Sequence, residues 1–157
     1  MNTAHTIEVL NDLIQINNDR ILGYERAVKE ISDMDHDLKV MFEAMIQESY
    51  SYKGELISMV SSMGGTPSAD TTLAGKLYRM WMEVKNSFTG NDRKSILDSC
   101  AFGEDAWRRA YEAALLQEDT TPLDAPAHEL IVQQYNNEKG SYDLVKKYRD
   151  AQSALGL

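Results

Sequence analysis

Ile7, Leu10, Ile14, Asn17, Ile21, Tyr24, Val28 and Ile31 recur at alternating spacings of three and four. That rhythm is the seam of one long helix packed lengthwise against others. Two members break the apolar rule. Asn17 brings an amide that needs hydrogen-bond partners if buried, and Tyr24, two turns on, brings a hydroxyl onto the same face.

The rest of the chain repeats the pattern between clear breaks. Met34 to Asp37 is too short for anything but an antiparallel return. The second stripe is Leu38, Phe42, Met45, Ser49, Tyr52, Leu56, Met59 and Met63, closed by Gly64-Gly65 and Thr66-Pro67. After the capping-rich loop Ser68 to Thr72 comes a helix with Leu73, Leu77, Trp81, Val84 and Phe88 on one side. At 1.5 Å per residue it is about 26 Å long, enough to carry the chain from one end of a bundle to the other. Thr89 to Asp92 should stop it and cap a fourth helix with Ile96, Cys100, Gly103, Trp107, Ala110 and Ala114 on its seam. Gly103 and the alanines would let a neighbour approach closely. Asp124 should cap a fifth helix, with Ile131, Glu138 and Val145 at heptad spacing.

The chain is therefore expected to be all-α, an antiparallel four-helix bundle with one long crossover containing an additional helix. We expect one domain over residues 1–157, with helices at about 4–33, 36–63, 71–88, 92–117 and 125–153. A length of 157 residues with 43% hydrophobic content suits one core.

Charge and punctuation exclude several function classes. Sixteen Lys and Arg against 25 Asp and Glu give a net charge of -9, which repels phosphate backbones and anionic lipid, so neither nucleic acid nor membrane is an expected partner. The first residues lack the pattern of a secretory signal, and the expected location is cytoplasmic. The lone Cys100 cannot form an internal disulfide or a thiolate metal cluster and reads as a small buried residue. No Gly-rich phosphate loop and no Ser/His/Asp or Cys/His set stands out, which points away from catalysis. A homodimer is compatible with a bundle of this size; the sequence names no other protein partner.

Polar residues interrupt every long helix near its middle: Asn17 with Tyr24, Ser49 with Tyr52, Glu104 with Tyr111, and Glu138 with Gln134 and Tyr142. Several buried polar groups at one level imply either a closed hydrogen-bonded layer or a site. Asn17 as a core amide would fix helix register.

The stretch LNDLIQINNDRILGYERA, the SMGGTPS turn, LAGKLYRMWMEVK, FGEDAWRRAYEAAL and QQYNNEKGSYDLVKKYRD together resemble a bacterial family of uncharacterised proteins, a domain of unknown function described as a ferritin-like four-helix bundle. The likeness runs from about Ile7 to Asp150 and implies the fold but no activity.

The wider superfamily includes rubrerythrins, whose di-iron members use a Glu on each of two helices and a Glu-x-x-His pair on each of the others. In that register the ligand positions fall on Asn17, on Ser49 and Tyr52, on Glu104, and near Lys139 and Tyr142, and only Glu104 keeps a ligand type. His5, His36 and His128 fall at helix ends. A different carboxylate set, Glu104 and Glu138 with Glu25 and Glu48 or Glu55, could instead hold iron or another divalent metal, with tyrosines as outer donors. Two readings stand: a non-catalytic bundle with a polar core layer and a stress-associated or scaffolding role, or a di-metal carboxylate protein or oxidoreductase, of iron or manganese, with an altered ligand set.

Overall fold

The computed structural model describes residues 3–68, 76–84, 92–116 and 121–155. Its helices are α1 (Thr3–Glu30), α2 (His36–Ser62), α3 (Lys76–Val84), α4 (Arg93–Leu116) and α5 (Ala125–Ala154). Among the described residues there is no strand, and the fold is an all-helical bundle. Leu73, Phe88, Thr72 and Thr89, to which the sequence assigned stripe or cap positions, lie outside the described residues, as does the side chain of Val84.

The directions of the helices follow from contacts at the two ends. At one end the Thr3 hydroxyl donates to Asp124 at 3.2 Å and the Asp124 amide donates to the Thr6 hydroxyl at 3.1 Å, so α1 and α5 start together. At the other, Arg93 of α4 donates to Asp35 at 2.7 Å, just before α2, and to Gln152 near the end of α5 at 3.1 Å. α1 and α5 therefore run one way, α2 and α4 the other, and the connection from α2 to α4 must cross the length of the bundle. α1 packs chiefly on α2 and α4 on α5, while α1 with α4 and α2 with α5 close the ring.

The start of the crossover is held by backbone geometry. Gly64 has φ +82°, the left-handed conformation that glycine adopts without a Cβ penalty, and the Gly65 amide donates to Val60 O at 3.0 Å. A Cβ on Gly65 would lie 2.9 Å from two carbons of Ile7, so the turn sits directly against α1.

The crossover then follows the outer face of α1 instead of lying across the bundle. Asn11 donates to Thr66 O at 3.2 Å and accepts from the Ser68 amide at 2.9 Å, and Gln15 donates to the Ser68 hydroxyl at 2.6 Å. One oxygen of Asp12 accepts from the Leu77 and Tyr78 amides at 3.1 and 3.4 Å, which gives the exposed donors of the first α3 turn a carboxylate partner on another helix. Asp19 accepts from the Tyr78 hydroxyl at 2.6 Å and the Trp81 indole at 3.0 Å. α3 thus runs parallel to α1, between it and α4.

Two apolar cores lie one above the other. Toward the start of α1 are Leu10, Leu13, Ile14, Leu56, Trp107, Ala114 and Ile131; toward its end are Ile21, Ile31, Leu38, Phe42, Met45, Ile96, Leu97 and Val145. Each long helix crosses from one core to the other through buried polar residues: Asn17 and Arg20, Ser49, Glu104, and Gln134 with Glu138. These residues form the layer from which the site is built.

Candidate functional site

Helix periodicity delivers the layer. Asn17 and Ser49 stand on the same seams as Leu10 and Leu56, so burying the apolar members carries the polar ones inward. Once inside, their donors and acceptors must be met, and they are met by each other.

Arg20 is the centre. Its Nε and Nη2 donate to the two oxygens of Glu104 at 2.9 and 2.7 Å, a fork-to-fork pair. Nη1 donates to the Ser49 hydroxyl at 2.8 Å, and Nη2 also lies 2.9 Å from the Glu48 carboxylate. Burial works against the charge on Arg20, but Glu104, with help from Glu48, more than offsets it and keeps the guanidinium pKa well above its ordinary value.

From Arg20 the hydrogen bonds continue in one direction. Ser49 donates to Asn17 Oδ1 at 3.0 Å; Asn17 Nδ2 donates to the Tyr111 hydroxyl at 2.9 Å; Tyr111 donates to Gln134 Oε1 at 2.7 Å; Gln134 Nε2 donates to Tyr52 O at 3.0 Å and Glu55 at 3.1 Å. The Trp107 indole also donates to Asn17 Oδ1 at 3.2 Å, and its ring stacks on Tyr111 at 3.8 Å. Every hydroxyl on the path both accepts and donates, so each bond polarises the next. The chain joins all four long helices and runs from a buried cation to a carboxylate at the bundle surface.

Glu138 sits beside this chain. Its Oε1 accepts from Arg108 Nη1 at 2.6 Å, while its buried Oε2 has no partner. Burial and the nearby Glu104 push its pKa up to about 9, with Arg108 and Arg20 opposing. The shift favours the neutral acid at Glu138, against the pull of the Arg108 guanidinium beside it. Burial, followed by Glu104, raises the Tyr24 hydroxyl well above the ordinary tyrosine value, and that hydroxyl also has no partner. Burial raises Cys100 and Tyr111 as well, so neither is poised to ionise.

The polar residues expected inside separate into three groups. Asn17, Ser49, Tyr111 and Gln134 are joined in the chain. Tyr52 contributes its backbone carbonyl, its ring lying 5.9 Å from Trp107 and its hydroxyl raised by burial and then by Glu48. Tyr24 and Tyr142 stay out of the chain: Tyr24 is buried but unpaired, and half-buried Tyr142 stacks beneath Arg108 and Lys146, each 5.0 Å from its ring centre. Gly103 does not serve the close approach expected of it, because a Cβ there would meet nothing within 4 Å.

The carboxylates considered as metal ligands are not assembled. Glu104 is engaged by Arg20 through both oxygens, Glu138 by Arg108, Glu55 is exposed and bound by Gln134, and Glu25 is half-buried. Among the described residues no three His, Cys, Asp or Glu come together as a metal would need. A guanidinium lodged among Glu48, Glu104 and Ser49 supplies positive charge where a di-metal centre would, so this donor set does not fit such a centre.

Sequence reasoning missed Arg20 and Arg108. Arg20 lies one turn from both Asn17 and Tyr24, and the signal for it was electrostatic: two inward carboxylates without an inward histidine need another source of positive charge.

A family model described as "Domain of unknown function (DUF2383)" matches residues 5–117. No curated protein matches the sequence. Among solved structures, the chain is similar over 95% of its length, with a TM-score of 0.67 and 18% identity, to one described as "Crystal structure of ferritin like, diiron-carboxylate proteins from Bacillus anthracis str. Ames", of which it covers 96%. At that identity the likeness is one of fold.

Proposed function

This chain belongs to the DUF2383 family, and on that premise we propose that it is a non-catalytic ferritin-like bundle in which an arginine-centred polar layer takes the structural place of a metal centre. The observation that carries this reading is the double bond from Arg20 to both oxygens of Glu104. Both of its oxygens already accept from a guanidinium, whose positive charge opposes a second cation at the same carboxylate. The chain then acts as a cytoplasmic scaffold, through association with a second copy or another protein. No described helix is long and apolar enough to cross a membrane.

The di-iron carboxylate chemistry in the neighbour's description would come to this chain only if Arg20 swung out and Glu48, Glu104 and Glu138 turned to a common ion. Anaerobic incubation with Fe(II), Mn(II) or Zn(II), followed by desalting and metal analysis, tests this. The structural reading expects no stoichiometric metal and no metal-dependent change in Tm, in the wild type and in Glu104→Gln alike. One or two ions per chain, lost in Glu104→Gln, would overturn it. Sedimentation of the untagged protein tests the association.

A further inference from the structure

Charge is unevenly distributed around α5. Ser141 donates to Glu48 at 3.0 Å and Gln134 to Glu55 at 3.1 Å, which marks the side facing α2, whereas Tyr135, Tyr142 and Lys146 lie against Arg108 and Asp105 and mark the side facing α4. At about 100° per residue, Glu129, Lys139, Asp143 and Asp150 fall outward or toward α4, while the exposed residues on the α2 side are Gln133, Asn137, Gly140, Leu144 and Ala151. Their counterparts on the α5 side of α2 are Val40, Ala44, Gln47, Ser51 and Ser58.

Both sets keep spacings of three, four or seven, the repeat of a helix face that packs lengthwise on another helix. None of these residues is charged in a chain that is 26% charged, and Val40 and Leu144 are 55% and 39% exposed. The acids along the seam are already engaged, Glu48 by Arg20 and Ser141, Glu55 by Gln134 and Asp37 by Arg93. Helices of 27 and 30 residues side by side make a face about 40 Å long and about 20 Å wide, the scale of the ~800 Å² per partner in a standard interface.

The edges of the face indicate what covers it. Glu43 borders it on the side of α2 away from α5, and Lys147 on the side of α5 away from α2; both are exposed, and neither makes an ion pair among the described residues. Arg93 bonds both Asp35 and Gln152, and Glu48 meets Ser141, which sets the heights of the antiparallel helices and places Glu43 and Lys147 within one turn of the same level. Within one chain the whole face separates them. A two-fold rotation about an axis parallel to the bundle preserves height and lays α2 of one copy on α5 of the other. It brings Glu43 to the partner's Lys147 twice per dimer, and Ala44 and Val40 to the partner's Leu144 and Tyr148.

We propose that the outer face of α2 and α5 is the surface through which two copies of this chain pair, about a two-fold axis parallel to the bundle, with each Glu43 meeting the partner's Lys147. This rests on the scaffold reading above and names the surface by which the scaffold associates with itself.

Sedimentation equilibrium of the untagged protein at low salt should show a monomer–dimer equilibrium. Leu144→Glu, which sets a charge within the face, should raise the dissociation constant by about tenfold or more with helical circular dichroism unchanged. Glu43→Lys and Lys147→Glu each put like charges together and should each weaken the dimer severalfold; the double variant restores opposite signs and should return the affinity to near wild type. A monomer at every concentration overturns the proposal, as does a dimer that Leu144→Glu leaves as tight as wild type, or a double variant no tighter than the single ones. Should Leu144→Glu fail to fold, the charge exchange decides alone. Metal uptake tests the polar layer separately: a dimer indifferent to these variants leaves the layer as described, and stoichiometric metal would overturn the layer's structural role with the interface intact.

Discussion

Arg20 on α1 and Glu104 on α4 meet edge to edge, Nε to Oε2 at 2.9 Å and Nη2 to Oε1 at 2.7 Å, with each side chain 2% exposed. A buried pair of this kind is weak evidence for stability, because desolvation of two ions offsets their attraction, but breaking it from one side strands a charge. Its consequences can be measured.

Arg20→Met should cost roughly 3–5 kcal/mol in urea unfolding, since Glu104 is left buried and unpaired. Adding Glu104→Leu should recover most of that loss. A double variant no better than Arg20→Met would show that the arginine stabilises through some other contact.

Tyr111→Phe keeps the ring that stacks on Trp107 but removes the hydroxyl between Asn17 and Gln134. Gln134 Oε1 then loses its donor, so the expected cost is about 1–3 kcal/mol with helix content unchanged. Thermal unfolding followed by circular dichroism reads both quantities.

Glu138 makes stability depend on pH. Its pKa rises from 4.5 in the unfolded chain to about 9 in the folded one. Between these values the unfolded chain loses the proton and the folded one keeps it, so the stability this group contributes is complete below about 4.5 and declines until pH passes about 9. Glu138→Gln removes the titration. The stability of that variant relative to wild type should therefore grow steadily from pH 5 to pH 9, as read by Tm across the series; a constant difference would mean that Glu138 is already ionised in the fold.

Asp12→Ala should release the start of α3 without disturbing the bundle. Hydrogen exchange at the Leu77 and Tyr78 amides, which donate to Asp12, is expected to rise by tenfold or more. Exchange within α1 around Ile14 should stay as in wild type.

Much of the layer could be read in advance because Asn17, Ser49 and Glu138 stand on apolar seams. A polar residue between buried neighbours at helical spacing is carried inward with them. Arg20 escaped that logic, since it stands beside the seam and a long side chain beside a seam is ordinarily solvated. Asp12, Asn11, Gln15 and Asp19 escaped for a related reason. They occupy the face of α1 away from its seam, and only the crossover lying on that face gives their polarity a use.

Tyr142 shows the opposite failure. It is near enough to the seam of α5 to suggest an interior position, yet Arg108 and Lys146 hold its ring at the side of the bundle. A few tens of degrees of helix rotation separate the two placements, and spacing in the sequence does not resolve so small an angle.

By itself the sequence determined the helical class, the order and directions of the helices and the presence of polar residues at mid-length, because periodicity and punctuation are local properties of one segment at a time. Only the tertiary structure decided what the polar residues became. Whether Glu104 faces a metal or a guanidinium depends on which side chain of α1 lies opposite it, 84 residues away in the chain, and that pairing is settled by how the four helices rotate to fill their cores.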